Sequence, residues 1–82
     1  MKRVILVADD SPTIRKFVSV ALTVKGYEII SCSDGMEALE KIPNNKIDLV
    51  ITDLNMPNVD GFQLISTIRG NDELRELPII VL

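Results

Sequence analysis

The sequence predicts an α/β fold with a parallel sheet, and three observations lead to that prediction. Short apolar runs rich in Val and Ile recur at Val4–Ala8, within Ile47–Asp53 and at Pro78–Leu82, as expected of strands covered on both faces. Amphipathic helical patterns lie between these runs. The chain has 82 residues, 46% of them hydrophobic and 26% charged, which suits one globular domain and no more.

The first helix is predicted to lie between Ser11 and Gly26. Ser11 is a favoured N-cap, Pro12 suits the first helical position, and Gly26 suits the C-terminal stop. Apolar residues recur between them with helical spacing and form one stripe: Ile14, Phe17, Val18, Ala21 and Leu22. The next segment, Tyr27–Ser33, mixes apolar and polar residues and therefore predicts an edge strand.

Two further helices are predicted before the last two strands. The second begins at Asp34, which has the spacing of a capping box with Glu37, and ends before Pro43. The third begins at Asp60 and ends at Gly70. The residues expected to turn inward from these two helices are apolar and helically spaced: Ala38, Leu39, Ile42, Leu64, Ile65 and Ile68.

The alternation of strands and helices implies right-handed crossovers and a parallel sheet. With the second strand at an edge, the predicted strand order is 2-1-3-4, counted along the chain. Ligands of such sheets bind beyond the carboxyl ends of the strands, where the order reverses, here between the first and third strands. Asp9 and Asp10 follow the first strand and Asp53 follows the third, so we expect their carboxylates to converge there.

Three carboxylates in one crevice repel one another, and a divalent cation relieves that repulsion. An oxygen-only ligand set suits Mg²⁺, with Mn²⁺ as an alternative, and a carboxylate beside the ion can attack phosphorus. Taken singly, Asp9 is better interpreted as a helix N-cap, and Asp10 alone is no more specific. The specific signal is the Asp9–Asp10 pair combined with Asp53.

Two stretches resemble the signature segments of response-regulator receiver domains: Val7–Ser11 (Val-Ala-Asp-Asp-Ser) and Ile51–Gly61 (Ile-Thr-Asp-Leu-Asn-Met-Pro-Asn-Val-Asp-Gly). The second is especially similar to that of single-domain chemotaxis regulators, and the resemblance runs from Lys2 to Leu82. It implies a flavodoxin-like, doubly wound sheet. It also implies a phosphoacceptor switch of two-component signal transduction rather than an autonomous enzyme, in one partial receiver domain over residues 1–82.

The resemblance assigns a role to each matching residue. Asp53 would accept the phosphoryl group, and Asp10 and Asp53 would bind Mg²⁺ directly. Asp9 would hold the ion through water. Asn55 would give its backbone carbonyl to the metal, and its side chain would tune the phosphoryl lifetime. Met56, Pro57 and Gly61 would shape the loop after Asp53. For Met56, a simple packing role is an equal alternative.

The partners follow from the resemblance and the composition. The phosphodonor would be a phosphohistidine of a sensor histidine kinase. The net charge of −3, without a stripe of Lys and Arg, argues against a nucleic-acid partner within this domain. No apolar run approaches the roughly 18 residues of a membrane span, so we expect a cytoplasmic protein without membrane contact. The single cysteine, Cys32, is expected to be reduced and half-buried.

The resemblance also implies parts that lie beyond Leu82. These are a fifth strand, two helices, a Ser or Thr after the fourth strand and a Lys after the fifth. We therefore expect Pro78–Leu82 to form a bare apolar edge and the sheet face beside the first helix to lie open. Such a polypeptide would associate with itself or with a complementary fragment.

Two other functions compete with the receiver interpretation. One is a Mg²⁺-dependent phosphatase with an aspartate nucleophile, whose usual Asp-x-Asp pattern is not matched by Asp9-Asp10-Ser11. The other is a non-catalytic assembly piece or an engineered half-domain.

Overall fold

The computed structural model describes residues 2–82, and each predicted element is present in it. The strands and helices alternate as follows: β1 (Val4–Ala8), α1 (Pro12–Val24), β2 (Glu28–Cys32), α2 (Gly35–Lys41), β3 (Leu49–Thr52), α3 (Gly61–Arg69) and β4 (Ile79–Val81). Single 3-10 turns at Ile42–Asn44 and Asp72–Leu74 follow α2 and α3. Among residues 2–82, no helix has both the length and the apolar character needed to cross a bilayer.

The four strands form one parallel sheet in the order β2-β1-β3-β4, which confirms the predicted order and places β2 and β4 at its edges. The strand β2 is shorter than the predicted Tyr27–Ser33, and β4 is shorter than the predicted Pro78–Leu82. β1 lies inside the sheet, paired with β2 on one side and with β3 on the other.

The caps of α1 explain where this helix begins and ends. The Ser11 hydroxyl accepts a hydrogen bond from the Ile14 N–H at 3.3 Å, which satisfies one of the free donors of the first turn. Pro12 occupies the first helical position. Beyond the helix, Gly26 has φ 96°, a left-handed conformation that glycine adopts without steric cost.

The other two helices begin at aspartates. The Asp34 carboxylate accepts from the Glu37 N–H at 2.8 Å, and the Glu37 carboxylate accepts from the Ser33 N–H at 2.7 Å. The predicted capping box is therefore present in part, because the return bond reaches the residue before the N-cap. The Asp60 carboxylate accepts from the Gln63 N–H at 2.9 Å and caps α3 in the same way.

The two faces of the sheet differ in how they are covered. The face under α2 and α3, which we name the closed face, carries the larger cluster of buried apolar residues: Leu6, Ala8, Cys32, Ala38, Ile42, Val50, Met56, Leu64, Ile68 and Leu77. The other face, which we name the open face, lies under α1 alone. Its buried cluster is smaller: Ile5, Val7 and Ile51.

The apolar stripe of α1 is covered only in part. Val18 and Leu22 pack on the open face, whereas Ile14 and Phe17 are 42% and 73% exposed. Beside the helix runs a groove of about 360 Å³ whose floor includes Ile51 and whose far wall is formed by β4. Ile80 of β4 lines this groove and is 50% exposed, so the open face presents apolar surface to solvent, as expected.

The half-buried state expected for Cys32 is wrong. The residue is fully buried, with 0% of its surface exposed. Its side chain points to the closed face, where it joins Ala38 of α2 in the core. The sequence of a short strand of mixed polarity does not show which of its faces a helix covers, and for this reason the burial of Cys32 was underestimated.

Candidate functional site

Three carboxylates meet beyond the carboxyl ends of β1 and β3. These strands are neighbours in the sheet, and their last residues, Ala8 and Thr52, are partners in the register. The residues that follow, Asp9 and Asp53, therefore leave the sheet side by side. Together with Asp10, each offers a carboxylate oxygen, and these oxygens lie within 4.8 Å of one another.

Backbone hydrogen bonds extend the sheet by one residue and fix the starting points of the site. The Asp53 N–H donates to the Ala8 carbonyl at 2.9 Å, and the Asp9 N–H donates to the Cys32 carbonyl at 3.1 Å. Exposure rises from Asp9, which is 4% exposed, through the half-buried Asp53 to the exposed Asp10. The site therefore has a fixed floor and an open mouth.

The turn after β1 holds Asp9 by both its side chain and its backbone. The Oδ1 atom of Asp9 accepts from the Ser11 N–H at 2.8 Å, and its carbonyl accepts from the Arg15 guanidinium at 2.7 Å. Asp9 is thus not the N-cap of α1, since Ser11 has that role. The role of Arg15 could not be predicted from the sequence, because helical spacing shows which way its side chain leaves α1 but not which carbonyl it contacts.

The two oxygens of the Asp53 carboxylate differ in their environment. Oδ1 accepts from the Leu54 N–H at 2.7 Å and, more weakly, from the Asn55 N–H at 3.4 Å. Oδ2 accepts no hydrogen bond from the residues that the structure describes, 2–82. The carboxylate is therefore held by one oxygen and has the other available for a ligand. Beneath it, the hydroxyl of buried Thr52 donates to the Asp53 carbonyl at 2.8 Å.

The loop after β3 closes tightly on itself at Gly61. The Gly61 N–H donates to the Leu54 carbonyl at 3.1 Å. A Cβ atom on Gly61 would lie 2.2 Å from the Asp53 carbonyl oxygen, so no side chain fits there. Met56 is buried in the closed-face core, which supports the packing alternative for it. Between these anchors, Asn55 and Pro57 are exposed.

The same loop is tied to the N-terminus of α2. Asn58 has φ 65°, and its side-chain amide donates to the Asp34 carboxylate at 2.7 Å. The backbone N–H of Glu37 and, to a lesser degree, this amide hold the pKa of Asp34 below its ordinary value. This contact was not predicted from the sequence. Its one signal is an asparagine inside a turn-rich loop, a residue that tolerates left-handed backbone.

Cys32 contributes its backbone carbonyl to the floor of the site, and its thiol does not belong to the donor set. Burial, reinforced by the negative charge of Glu37, raises the pKa of Cys32 to about 12. The thiol therefore stays protonated at neutral pH in the protein as described, and the carboxylate cluster does not include it. The remaining donors are oxygens, which is the ligand chemistry of Mg²⁺ and Mn²⁺.

Comparison with known proteins assigns the family. The family model of the response regulator receiver domain matches residues 5–82 of this chain. The chain belongs to the response-regulator receiver family. The matches do not favour the phosphatase or half-domain alternatives.

Two curated relatives illustrate the range of proteins to which this chain is similar. The chain is 41% identical over 80 residues to the CAI-1 autoinducer sensor kinase/phosphatase CqsS of Vibrio cholerae, covering 96% of this chain and 12% of that protein. It is 38% identical over 80 residues to the chemotaxis protein CheY1 of Helicobacter pylori, covering 95% of this chain and 64% of that protein. The chain thus spans less than two thirds of the length of both relatives.

The solved structures of receivers share the architecture described above. The chemotaxis response regulator CheY4 of Vibrio cholerae superimposes with a TM-score of 0.94 and 36% sequence identity, over 99% of this chain and 68% of that one. The flavodoxin-like receiver fold with strand order 2-1-3-4 is therefore confirmed for this chain. The acidic cluster lies where this fold binds ligands, at the reversal of strand order.

Proposed function

We propose that this receiver accepts a phosphoryl group on Asp53 from a phosphohistidine of a sensor kinase, in a Mg²⁺-dependent reaction, and then acts as a conformational switch. The observation that supports this most directly is the convergence of the carboxylates of Asp9, Asp10 and Asp53 within 4.8 Å. Similarity to both a sensor kinase and chemotaxis regulators supports a kinase as the phosphodonor.

The donor set fits a small divalent cation. Ligand oxygens lie about 2.1 Å from Mg²⁺, so two of them on one ion are at most about 4.2 Å apart. Carboxylates within 4.8 Å of one another need only small side-chain rotations to reach that spacing. In this proposal Asp10, Asp53 and the Asn55 carbonyl bind the ion directly, and Asp9 holds it through water. When bound, the ion supplies positive charge beside the phosphoryl group.

The environment of Asp53 suits a nucleophile. The hydrogen bond from the Leu54 N–H fixes Oδ1, and Oδ2 has free lone pairs to offer to phosphorus. In the transfer, a bond forms between Oδ2 and phosphorus, and the bond between phosphorus and the donor imidazole nitrogen breaks. The imidazole nitrogen keeps the electron pair of the broken bond. The product is an acyl phosphate on Asp53.

A metal titration tests the cation site. Asp10→Ala should weaken Mn²⁺ binding, followed by electron paramagnetic resonance, by at least about tenfold, because one direct carboxylate is lost. Asp72→Ala is the matched control, since Asp72 is exposed in the turn after α3, away from the carboxylate cluster. Equal affinity in the wild-type protein and Asp10→Ala would contradict the assignment.

A labelling experiment tests the phosphoacceptor. With Mg²⁺ and a small phosphodonor such as acetyl phosphate, intact mass should show one added phosphoryl group, and Asp53→Asn should abolish it. The same Asp72→Ala control should keep the label. A phosphoryl group that survives Asp53→Asn would show that another residue accepts it.

We also propose that the 82-residue polypeptide associates with a second copy of itself through the edge of β4 and the open face. The side chains of Ile80, Val81 and Leu82 are 50%, 46% and 54% exposed, and within the described residues β4 pairs with β3 alone. Each Å² of apolar surface buried is worth roughly 25 cal/mol, so several hundred Å² favour association strongly. A two-fold axis would pair the β4 edges antiparallel.

Sedimentation velocity of the 82-residue polypeptide, with its intact mass verified by mass spectrometry, tests this association. We expect dimers at micromolar concentration, and Val81→Lys should shift them towards monomer because it places a charge on the β4 edge. A cooperatively folded monomer of the wild-type polypeptide at that concentration would contradict the proposal.

A further inference from the structure

Two segments that are distant in sequence are joined beside the candidate site. The loop between β3 and α3 contacts the N-terminus of α2 through the amide of Asn58, which donates to Oδ2 of Asp34 at 2.7 Å. Next to this bond, the Gly35 N–H donates to the Val59 carbonyl at 2.9 Å. We name the Asn58–Asp34 hydrogen bond the latch.

The backbone on both sides of the latch leaves little freedom. A Cβ on Gly35 would lie 2.2 Å from the Val59 carbonyl oxygen, so the loop and α2 approach as closely as a glycine allows. Asn58 has φ 65°, the left-handed region that asparagine occupies more readily than most residues. Gly35 and Asn58 are therefore residue types that suit this particular arrangement of the loop against α2.

The latch lies only three residues after the proposed metal ligand Asn55. The start of the loop is fixed to β1 through Asp53, and its end is fixed at Gly61. Asn55 itself is exposed, and the one hydrogen bond that its backbone makes to another of residues 2–82 is the 3.4 Å bond to the Asp53 carboxylate. Its position is therefore set by its neighbours, namely by Met56, buried in the core, and by Asn58 in the latch.

We propose that Asn58 and Asp34 are positioning residues for the cation site, which hold the loop so that the carbonyl of Asn55 faces the carboxylates. This inference rests on the proposed function, because it assumes a cation at the acidic cluster. Neither residue belongs to that cluster. When the latch is lost, the loop visits other conformations, and the apparent dissociation constant rises in inverse proportion to the competent fraction.

The two oxygens of Asp34 make the latch separable from the helix cap. Oδ1 caps α2 through the Glu37 N–H, and Oδ2 accepts from Asn58. Asp34→Ser keeps a capping oxygen and removes the latch acceptor. Asn58→Gly keeps the left-handed backbone and removes the latch donor. Each variant thus removes the same hydrogen bond from a different side.

A double-mutant cycle on Mn²⁺ affinity tests the proposal. Asn58→Gly and Asp34→Ser should each weaken binding roughly three- to tenfold, the effect of one lost hydrogen bond. The double variant should bind Mn²⁺ no more weakly than the weaker-binding single variant, because both substitutions remove the same hydrogen bond. Asn45→Gly is the control, since Asn45 is exposed, its amide donates to the Lys41 carbonyl at 2.8 Å, and it precedes β3 at the opposite end of the sheet. Its affinity should equal the wild-type value.

Thermal unfolding of each variant, measured in parallel, separates positioning from folding. Affinity that falls while the variant stays folded at the assay temperature supports the latch. If both single variants bind Mn²⁺ with wild-type affinity while Asp10→Ala binds it more weakly, the positioning role of the latch is contradicted and the cation site is not. Additive losses in the double variant would also overturn it. No Mn²⁺ binding by the wild-type chain would overturn both the latch and the proposed cation site.

Discussion

The closed and open faces of this sheet are built from the same strands but complete their cores to different degrees. The strand β1 sends Leu6 and Ala8 to the closed face and Ile5 and Val7 to the open face, and all four are buried. The difference arises above the sheet. The closed face is covered by two helices, whereas α1 alone covers the open face and contributes no buried residue.

The candidate site and the surface proposed for association lie against different faces of the sheet. The residues behind the candidate site, such as Cys32 and Met56, belong to the closed-face core. The exposed apolar residues of α1, together with Ile80 of β4, belong to the open side. The geometry of the acidic cluster should therefore depend on packing at the closed face, and the oligomeric state should depend on the open face.

A matched pair of leucines tests the contrast most strongly. Leu64 on the closed face is fully buried, and Leu22 on the open face is half-buried. Leu64→Ala should lower the free energy of unfolding by about 3 kcal/mol, and Leu22→Ala by about 1 kcal/mol, because less packed surface is lost. Urea denaturation followed by circular dichroism measures both. Equal losses would show that the two faces are equally packed.

Thiol labelling compares the two faces within one strand. Cys32 faces the closed side and is fully buried, while its neighbour Ser31 is exposed. With a disulfide reagent, Cys32 should react at least roughly a hundredfold more slowly than a cysteine placed by Ser31→Cys in a Cys32→Ala background, since reaction requires opening of the core. Comparable rates would mean that the closed face opens readily.

The burial of Cys32 also predicts a loss of stability at high pH. Its pKa is raised from 9.0 to about 12 in the folded protein, so the unfolded chain releases this proton first. The contribution is complete below pH 9 and is lost as pH rises towards 12, at up to about 1.4 kcal/mol per pH unit. Cys32→Ala removes this contribution, and denaturant titrations of the two proteins between these pH values should diverge accordingly. Parallel curves would contradict the prediction.

The smallest effect on stability is expected on the outer side of α1. Phe17 is 73% exposed, so Phe17→Ser should change the free energy of unfolding by less than about 0.5 kcal/mol. The same variant should weaken association through the open face, because it removes the most exposed aromatic part of that surface. A large loss of stability would indicate that α1 is covered more fully than the structure shows.

The sequence predicts the order of the elements and the place of the site because both depend on patterns along the chain. Helix caps such as Ser11 and the apolar strand runs determine the element order, and Asp9 and Asp53 follow the ends of two neighbouring strands. The latch through Asn58 could not be predicted in this way, because it depends on the path of a loop across another helix. The prediction that Cys32 is half-buried was wrong for a related reason, since alternation in a strand does not show which side of the strand a helix covers.

The register of β1 has a consequence for how the protein is made. Val4 pairs with Glu28 and Ile5 pairs with Leu49, so the first interior strand to leave the ribosome receives its partners later, one on each side. Closing a loop of twice the length costs only about 0.6 kcal/mol more, so the second pairing is scarcely harder than the first. The sheet can therefore grow outward from β1 during synthesis, with each crossover docking on strands already in place.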